Sequence, residues 1–315
     1  VESDPSVNTV RLGVETAKEE NIDVILALGG GSALDAAKAI SMVFANGGDI
    51  LDYEKGTPQM EGIPIVAVPT TAGTGSEVTK YSIITDTERK IKMLIGSDFL
   101  IPKIAILDPK LTKMMPPGIT AATGMDAFTH AVEAYISKAA QPMSDVYAIK
   151  AIELIAGNLI KAVFKEDDMK ARGKMMLGQM YAGLAFSNSS TALVHSMSRP
   201  LGVYYKVPHG LANALLLPEV MKFNRAACSE RFKVVAEAMG ENTEDRSIRE
   251  ASYLAIESIK NLFLETGLPK SLKEVGVDKD NFHKMAKDAV ENKSTTLNPR
   301  KPTLEQLIEI YETIY

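Results

Sequence analysis

One carboxylate and three of the four histidines in the sequence form a candidate set of ligands for a divalent metal. Asp126 and His130 lie four residues apart in GMDAFTHAVEAY (124–135), so a helix places both side chains on one face. That pair alone fits a surface ion pair, a capping contact or half of a metal site. His195 lies in the apolar segment TALVHSMSRPLG, and His209 lies near a helix start in KVPHGLANALLLP. Each histidine alone is more typical of a hydrogen-bonded core residue, but the four together suit a divalent transition metal with positions left open for a substrate oxygen.

Two segments rich in glycine and hydroxyl groups follow predicted strands. VILALGGGSALDAAKAI (24–40) reads as strand, glycine turn and helix, so N–H groups at the helix start could bind phosphate oxygens. It lacks the usual G-x-G-x-x-G fingerprint, because Leu34 replaces the third glycine. VPTTAGTGSEVT (68–79) offers several neutral hydroxyl donors. Each segment alone is compatible with a ligand-free turn, but two such loops at one end of a sheet favour an extended anionic ligand, most commonly a dinucleotide.

The elements that must position these residues change character near Pro116 and Pro117, where we place a domain boundary. Residues 1–116 alternate short β-rich runs with helical segments, which predicts an α/β domain with a parallel, Rossmann-like sheet. Its predicted strands are 24–28, 63–68 and 103–107. Residues 117–315 predict an all-α domain. Its predicted helices are 119–137, 143–164, 169–186, 229–240, 247–266, 280–291 and 303–315.

The amino-acid composition argues against several classes of binding partner. The 35 basic and 40 acidic residues give a net charge of −5 without long runs of one sign, so we expect no nucleic-acid partner and a small-molecule substrate. No apolar run is long enough to span a bilayer, and the start of the chain lacks the features of a signal sequence, so we expect no membrane association and a cytoplasmic protein. The single cysteine, Cys228, excludes an intrachain disulfide and a cysteine-ligated zinc site.

These motifs resemble those of the iron-containing (group III) alcohol dehydrogenases, which share the dehydroquinate synthase-like fold. The resemblance spans nearly all of residues 1–315. It rests on GGGSALDAAK (29–38), PTTAGTGSE (69–77), LDPKLT (107–112), GMDAFTHAVEAY (124–135), His195, PHG (208–210) and NPR (298–300). It implies reversible NAD- or NADP-dependent interconversion of a small primary or secondary alcohol and its aldehyde or ketone. The implied metal is Fe(II), with Zn(II), Ni(II), Mn(II) and Co(II) as alternatives, and it would polarise the substrate oxygen.

The resemblance also implies roles for individual residues and an assembly. The metal ligands would be Asp126, His130, His195 and His209. The cofactor would be bound by the nucleotide-binding domain (1–116), and the metal by the helical domain (117–315). The implied cofactor residues are Gly30, Gly31, Ser32, Thr70, Thr71, Thr74, Ser76, Lys92 and Leu111. A homodimer or larger homo-oligomer is expected.

The sequence departs from the family at Arg199, four residues after His195, where relatives commonly carry a second histidine that is discussed as a proton relay. Arginine stays protonated and cannot act as a general acid–base near neutral pH. Proton transfer would then use water, a cofactor ribose hydroxyl or Tyr135. Arg199 either pairs with a structural carboxylate or contacts the substrate, in which case its planar fork would select an aldehyde bearing a carboxylate, sulfonate or phosphonate.

A second departure lies at the amino end, where the resemblance implies that the first strands of the cofactor domain are missing. In relatives those strands carry the residue that separates NAD from NADP, so the sequence does not distinguish the two cofactors. Three other functions stay open at this point. One is a metal-dependent lyase like dehydroquinate synthase, which the scarcity of Lys and Arg near the metal ligands disfavours. Another is a metal-dependent hydrolase, for which both glycine-rich loops would have no role. The third is a non-catalytic metal-binding protein.

Overall fold

A computed structural model describes residues 1–56 and 58–315, which form two compact units, Val1–Thr112 and Lys113–Tyr315. The split lies four residues before the boundary expected at Pro116, and the first long helix of the second unit begins at Pro117. The assignment of cofactor binding to one domain and of metal binding to the other stays a prediction.

The first unit contains the predicted parallel sheet. Its elements are α1 (Val7–Glu19), β1 (Ile25–Gly29), α2 (Gly31–Asn46), β2 (Ile65–Pro69), β3 (Tyr81–Asp86), β4 (Ile91–Gly96) and β5 (Ile104–Ala105). In the described residues β1, β2 and β5 form a parallel sheet in that order, with Ile25 opposite Ile65 and Val66 opposite Ile104. The predicted α/β fold is therefore confirmed, and the turns after β1 and β2 leave the same end of the sheet.

An antiparallel hairpin of β3 and β4 was not predicted from the sequence. Tyr81 pairs with Gly96 and Asp86 with Ile91, and Lys90 in the turn has a φ of +56°. The two strands carry the alternating β-branched and apolar residues that signal strands. They are joined by DTERK, which lacks the Asn-Gly or Asp-Gly pair that usually marks a tight hairpin turn.

Helix α2 is the centre of the first unit. One side of it packs on the parallel sheet through Leu34 and Ala37. Another side packs against α1 and the hairpin through Ala39, Met42 and Val43. Helix α2 begins directly after the glycine turn. Its packing on the parallel sheet on one side, and on α1 and the hairpin on the other, therefore fixes the position of that turn.

The second unit is helical. Its helices are α3 (Pro117–Ile136), α4 (Pro142–Ala156), α5 (Leu159–Phe164), α6 (Met169–Ser187), α7 (Leu193–Tyr205), α8 (His209–Asn224), α9 (Ser229–Ala238), α10 (Ile248–Glu265), α11 (Phe282–Glu291), α12 (Lys293–Thr296) and α13 (Leu304–Thr313). Helix α3 is buried at every position from 124 to 136 and packs against α4, α6 and α8. A helix buried on all sides must satisfy or pair its polar residues internally. Within the described residues, none of the helices has the length and apolar character required to traverse a bilayer.

The single helix predicted over 143–164 is wrong, because α4 ends at Ala156 and α5 begins at Leu159. Gly157 and Asn158 lie at the break. Glycine weakens a helix interior, and the Asn158 side chain donates to the Leu154 carbonyl at 2.7 Å, which satisfies an acceptor left free at the end of α4.

Candidate functional site

Three helices of the second unit bring together the four predicted metal ligands. Asp126 and His130 lie one turn apart on α3, His195 lies on α7 and His209 is the first residue of α8. Their candidate ligand atoms all lie within 4.8 Å of one another. The Nε2 atoms of His130, His195 and His209 are 3.9, 3.8 and 3.7 Å from Asp126 Oδ1. The side chains therefore converge on one point.

A glycine allows the start of α8 to approach α3. A Cβ on Gly210 would lie 2.4 Å from the Ala122 carbonyl oxygen, so only glycine fits there. The preceding turn is set by Lys206, which takes a left-handed conformation with a φ of +56° after the end of α7. Together these features place His209 next to Asp126.

The four ligand atoms fit a divalent metal in spacing and in donor chemistry. Four ligands at about 2.1 Å from an ion lie about 3.0–3.4 Å from one another in tetrahedral or octahedral geometry, so each histidine needs to approach Asp126 by only about half an ångström. Asp126, His130 and His195 are buried, whereas the His209 side chain is 46% exposed. The His209 side of the cluster therefore faces solvent, which leaves a route for a substrate oxygen.

Glu133, one turn before the end of α3, holds the imidazole of His195. Its fully buried carboxylate accepts hydrogen bonds from the backbone N–H of Ala192 at 2.8 Å and of Val194 at 2.5 Å, and lies 2.7 Å from His195 Nδ1. In the tautomer whose Nδ1–H donates a hydrogen bond to Glu133, the Nε2 atom of His195 is unprotonated. The Nε2 lone pair is then directed toward Asp126. A carboxylate that fixes the tautomer of a ligand histidine is a recurrent feature of metal sites.

Asn213, one turn after His209 on α8, lies at the centre of the cluster. Its Nδ2 donates to Asp126 Oδ1 at 2.7 Å and lies 3.2 Å from Nε2 of both His195 and His209. The amide thus touches three of the four candidate ligands and orients the Asp126 carboxylate. Its Oδ1 is buried and has no hydrogen-bond partner among the described residues, so this side chain could turn its oxygen toward a cation.

The charge states of the cluster suit a cation. Burial alone would raise the pKa of Asp126, but the facing histidines and the Asn213 hydrogen bond hold that pKa below its usual value. Burial, with the neighbouring His130 and His209, lowers the pKa of His195 well below its usual value. An ionised carboxylate and a neutral imidazole are the forms that bind metals.

The sequence did not identify the roles of Glu133 and Asn213. Glu133 lies in GMDAFTHAVEAY and Asn213 lies in KVPHGLANALLLP. The signal that could have identified them is a polar side chain about one turn from a proposed ligand in an otherwise apolar helix. Burial raises the pKa of Glu133 to about 7, while the N–H donors of Ala192, Val194 and His195 oppose that shift. A buried carboxyl group with three donors is well suited to hold its neighbours in place.

Arg199 and Tyr135 were the residues considered for proton transfer or substrate contact. Arg199 is exposed and lies one turn after His195 on α7. Tyr135 is five residues after His130, about 140° around α3 from it, and its ring packs under the Arg231 guanidinium at 4.6 Å. Burial raises the Tyr135 pKa, with Arg231 opposing the shift. Tyr135 therefore faces away from the cluster, and the structure does not favour it as a proton relay.

In the first unit, the two glycine- and hydroxyl-rich loops contact each other. The Thr70 N–H donates to the Gly29 carbonyl at 2.9 Å. A Cβ on Gly31 would lie 2.7 Å from the Thr74 methyl group, and one on Gly30 would lie 3.2 Å from that of Thr71. Thr71 and Thr74 therefore line the start of α2, where the first backbone N–H groups of a helix have no partner within the helix. Space remains next to these N–H groups because residue 31 has no side chain.

A buried lysine links α2 to the second loop. Lys38 Nζ donates to Ser76 Oγ at 2.9 Å and to the carbonyls of Thr79 and Tyr81 at 2.8 and 2.9 Å. Ser76 in turn donates to Asp35 at 2.6 Å. Burial lowers the pKa of Lys38 to about 8, and the Asp35 carboxylate opposes that shift. The Ser76 hydroxyl, predicted to line the cofactor, is therefore already used to anchor its loop.

We expect Lys38→Met to destabilise the protein by about 3–5 kcal/mol, because it leaves the carbonyls of Thr79 and Tyr81 without their buried donor and removes the positive charge near Asp35. Urea denaturation of the purified protein measures this change, with Lys18→Met on the exposed side of α1 as the matched control. A loss no larger than that of the control would show that the buried lysine does not stabilise the loops.

The remaining predicted cofactor residues are Ser32, Lys92 and Leu111. Ser32 Oγ accepts a hydrogen bond from the Asp4 N–H at 3.1 Å, and Lys92 Nζ pairs with the Asp4 carboxylate at 2.8 Å. Leu111 is 38% exposed in a short 3-10 helix, Pro109–Thr112. Asp4, which was not singled out from the sequence, thus connects two of the predicted residues.

Comparisons with known proteins agree with this arrangement. Residues 1–109 match the family described as iron-containing alcohol dehydrogenase, and residues 120–315 match the Fe-containing alcohol dehydrogenase family, C-terminal. The chain is 43% identical over 309 residues to the NAD-dependent methanol dehydrogenase of Bacillus methanolicus, in an alignment covering 98% of this chain and 81% of that protein. It is 43% identical over 316 residues to the 1,3-propanediol dehydrogenase of Citrobacter freundii, covering 100% and 82%.

A solved structure shows the same fold. The crystal structure of a 1,3-propanediol oxidoreductase matches with a TM-score of 0.96 at 42% identity, covering 100% of this chain and 83% of that chain. The predictions of an α/β unit followed by a helical unit and of an alcohol dehydrogenase enzyme are thereby confirmed. The chain belongs to the iron-containing alcohol dehydrogenase family.

Proposed function

We propose that the protein interconverts small alcohols and their aldehydes, with NAD as the hydride carrier, at the cluster of Asp126, His130, His195 and His209. The observation that carries this proposal is the convergence of one carboxylate oxygen and three imidazole nitrogens within 4.8 Å in a chain of this family. The relatives named above are named for methanol and 1,3-propanediol, which are both small primary alcohols. A small primary alcohol is therefore the substrate class that we infer.

We propose Fe(II) as the metal because the matching family is named for iron. Zn(II), Ni(II), Mn(II) and Co(II) are alternatives, since imidazole and carboxylate ligate all of them. When bound, a divalent ion supplies Lewis-acid polarisation of the substrate oxygen. The protein's part is to hold the ligands in place. Glu133 fixes the tautomer of His195, Asn213 orients Asp126, and the exposed side of His209 leaves access for the substrate.

The two loops of the first unit support the cofactor assignment. We propose that the backbone N–H groups at Gly30, Gly31 and Ser32 bind the pyrophosphate, as helix N-termini do for anions. The other residues that we propose line the cofactor are Thr70, Thr71, Thr74, Ser76, Lys92 and Leu111. NAD is preferred because the methanol dehydrogenase relative is named as NAD-dependent, and NADP is the alternative. A homodimer or larger homo-oligomer in the cytoplasm stays a prediction.

A proton must leave the alcohol as its hydride is transferred. Arg199 stays protonated, and Tyr135 faces away from the ligands. We therefore assign the proton to water that enters on the exposed side of His209, or to a ribose hydroxyl of the cofactor. The lyase and hydrolase alternatives have less support, since the family matches cover both units and a hydrolase would leave the glycine loops without a role.

The proposal is tested by the absorbance of the reduced nicotinamide. Protein stripped of metal and reloaded with Fe(II) or Zn(II) is mixed with NADH or NADPH and with propanal, lactaldehyde or succinic semialdehyde. We expect metal-dependent oxidation of NADH, faster than of NADPH. The absence of oxidation with every pair, in protein that holds one metal per chain, would contradict the proposed function.

A further inference from the structure

The guanidinium of Arg199 is a positive charge on the same helix as His195, one of the four candidate metal ligands. It lies one turn after His195 on α7, where side chains four residues apart have Cβ atoms about 5–6 Å from each other. Its neighbours Ser198 and Pro200 are buried, whereas Arg199 itself is exposed.

The guanidinium of Arg199 has no partner among residues 1–56 and 58–315. No carboxylate of this part of the chain lies within 4 Å of it, and it makes no hydrogen bond there. Two other arginines of the helical unit are engaged. Arg231 pairs with Asp145 at 3.0 Å, and Arg300 donates to the Phe223 carbonyl at 3.0 Å. The expectation that Arg199 pairs with a structural carboxylate is therefore not supported.

The charge balance of the site favours an anion next to Arg199. Asp126 and the Glu133 carboxylate that contacts His195 would balance the charge of a divalent ion, so neither carboxylate is left to neutralise Arg199. The exposed guanidinium of Arg199 is therefore available to an incoming anion. Because the histidine nearest to solvent, His209, is 46% exposed, the counter-charge can come with the substrate.

We propose that Arg199 binds an anionic group of the substrate, so that the enzyme prefers short aldehydes bearing a carboxylate, sulfonate or phosphonate over neutral aldehydes of the same length. This inference rests on the proposed function of the site. The carbonyl oxygen would lie at the four candidate metal ligands, and the anion would lie about one helical turn away at the guanidinium. A chain of about two to four carbons spans that separation, since a turn rises about 5.4 Å. The planar guanidinium donates two parallel hydrogen bonds to such an anion.

The kinetic test compares succinic semialdehyde with butanal, which have the same carbon number. We expect the wild-type protein to use succinic semialdehyde with a kcat/KM at least about tenfold higher. Arg199→Met should lower kcat/KM for succinic semialdehyde by about 10–100-fold, as expected for a lost charge-assisted bidentate contact, and leave butanal within about threefold. Arg199→Lys should recover part of the loss. Sulfoacetaldehyde and phosphonoacetaldehyde then identify the preferred anion, and Arg249→Met at an exposed position of α10 is the matched control.

An equilibrium measurement accompanies the kinetics. Calorimetric titration of the metal-loaded protein with isethionate, an alcohol that carries a sulfonate, and with 4-hydroxybutyrate should give dissociation constants that rise about 10–100-fold in Arg199→Met. Binding of 1-butanol should not change. Because this titration needs no turnover, it decides the role of Arg199 even if no aldehyde is reduced, an outcome that would contradict the proposed function itself.

Two kinetic results would overturn the inference. One is a wild-type preference for butanal, or a preference for succinic semialdehyde that Arg199→Met leaves unchanged. The other is an Arg199→Met protein whose KM for NADH rises equally with neutral and anionic aldehydes, since that would place Arg199 on the cofactor. Anion titrations that are the same in the wild-type and Arg199→Met proteins would contradict it independently of activity.

Discussion

His209→Ala is expected to abolish tight metal binding and to lower NADH-dependent aldehyde reduction by at least about 10³-fold. The substitution removes one of four converging candidate ligands. The polarisation that a bound ion supplies to the substrate oxygen is worth several kcal/mol, with each 1.36 kcal/mol equal to a factor of ten. His209 is the most informative ligand to remove because it is half-exposed at the start of α8, so its loss leaves little cavity in the core.

The measurement is metal content by mass spectrometry together with the rate of NADH oxidation, for His209→Ala and for the control His283→Ala. His283 is exposed on α11. The control should keep one metal per chain and full activity. The melting temperatures of the two metal-free variants should agree, which shows that the effect is not one of folding. One tightly bound metal and turnover within about threefold of wild type in His209→Ala would remove this histidine from the ligand set.

Glu133→Gln is expected to weaken metal affinity by about 10–100-fold, the range found when a partner of a ligand histidine is lost. The amide cannot accept all three hydrogen bonds that the carboxylate accepts from Ala192, Val194 and His195. Its NH₂ group would face a backbone donor, and the His195 ring would no longer be held with its proton on Nδ1. The four candidate ligands remain in Glu133→Gln. The variant therefore measures how much the contact of Glu133 with His195 contributes to metal affinity.

Competition of the protein with a coloured chelator for Zn(II) measures the affinity, and Glu153→Gln, which alters only an exposed pair with Lys150 on α4, is the matched control. Nitrogen NMR of labelled imidazole reports the tautomer of His195, a readout that a merely structural role would not change. We expect mixed tautomers in Glu133→Gln and a single tautomer in the control. An unchanged tautomer and affinity would show that the Glu133 contact does not orient His195.

The four candidate metal ligands could be proposed from the sequence because the signal lies in local spacing and in residue type. Asp126 and His130 share a helix face through their spacing of four, and His195 and His209 are of the right residue type in a chain with few histidines. Glu133 and Asn213 could not be assigned in the same way. Their roles depend on which helix faces them, since Glu133 of α3 meets the start of α7 and Asn213 of α8 reaches back to Asp126.

In the first unit, too, the sequence predicted the features that depend on local patterns and did not predict those that depend on tertiary contacts. The strand–glycine–helix pattern predicted β1 and α2 because its turn chemistry is local. The sequence assigned Ser76 to the cofactor, but tertiary contacts with Lys38 and Asp35 use its hydroxyl within the protein. The β3–β4 hairpin was missed because its turn lacks a strong turn pair, although both strands carry an apolar face that packs on α2.

The central claim is that hydride passes from the nicotinamide to the substrate carbon at a metal-dependent site. The most direct measurement uses NADH carrying two deuterium atoms at C4 and propanal as substrate, with the alcohol product analysed by mass spectrometry. We expect one deuterium on the alcohol carbon with Fe(II)-loaded protein, none after chelation of the metal, and restoration on adding Fe(II). An alcohol without deuterium, or deuterium transfer that persists in metal-free protein, would contradict the account.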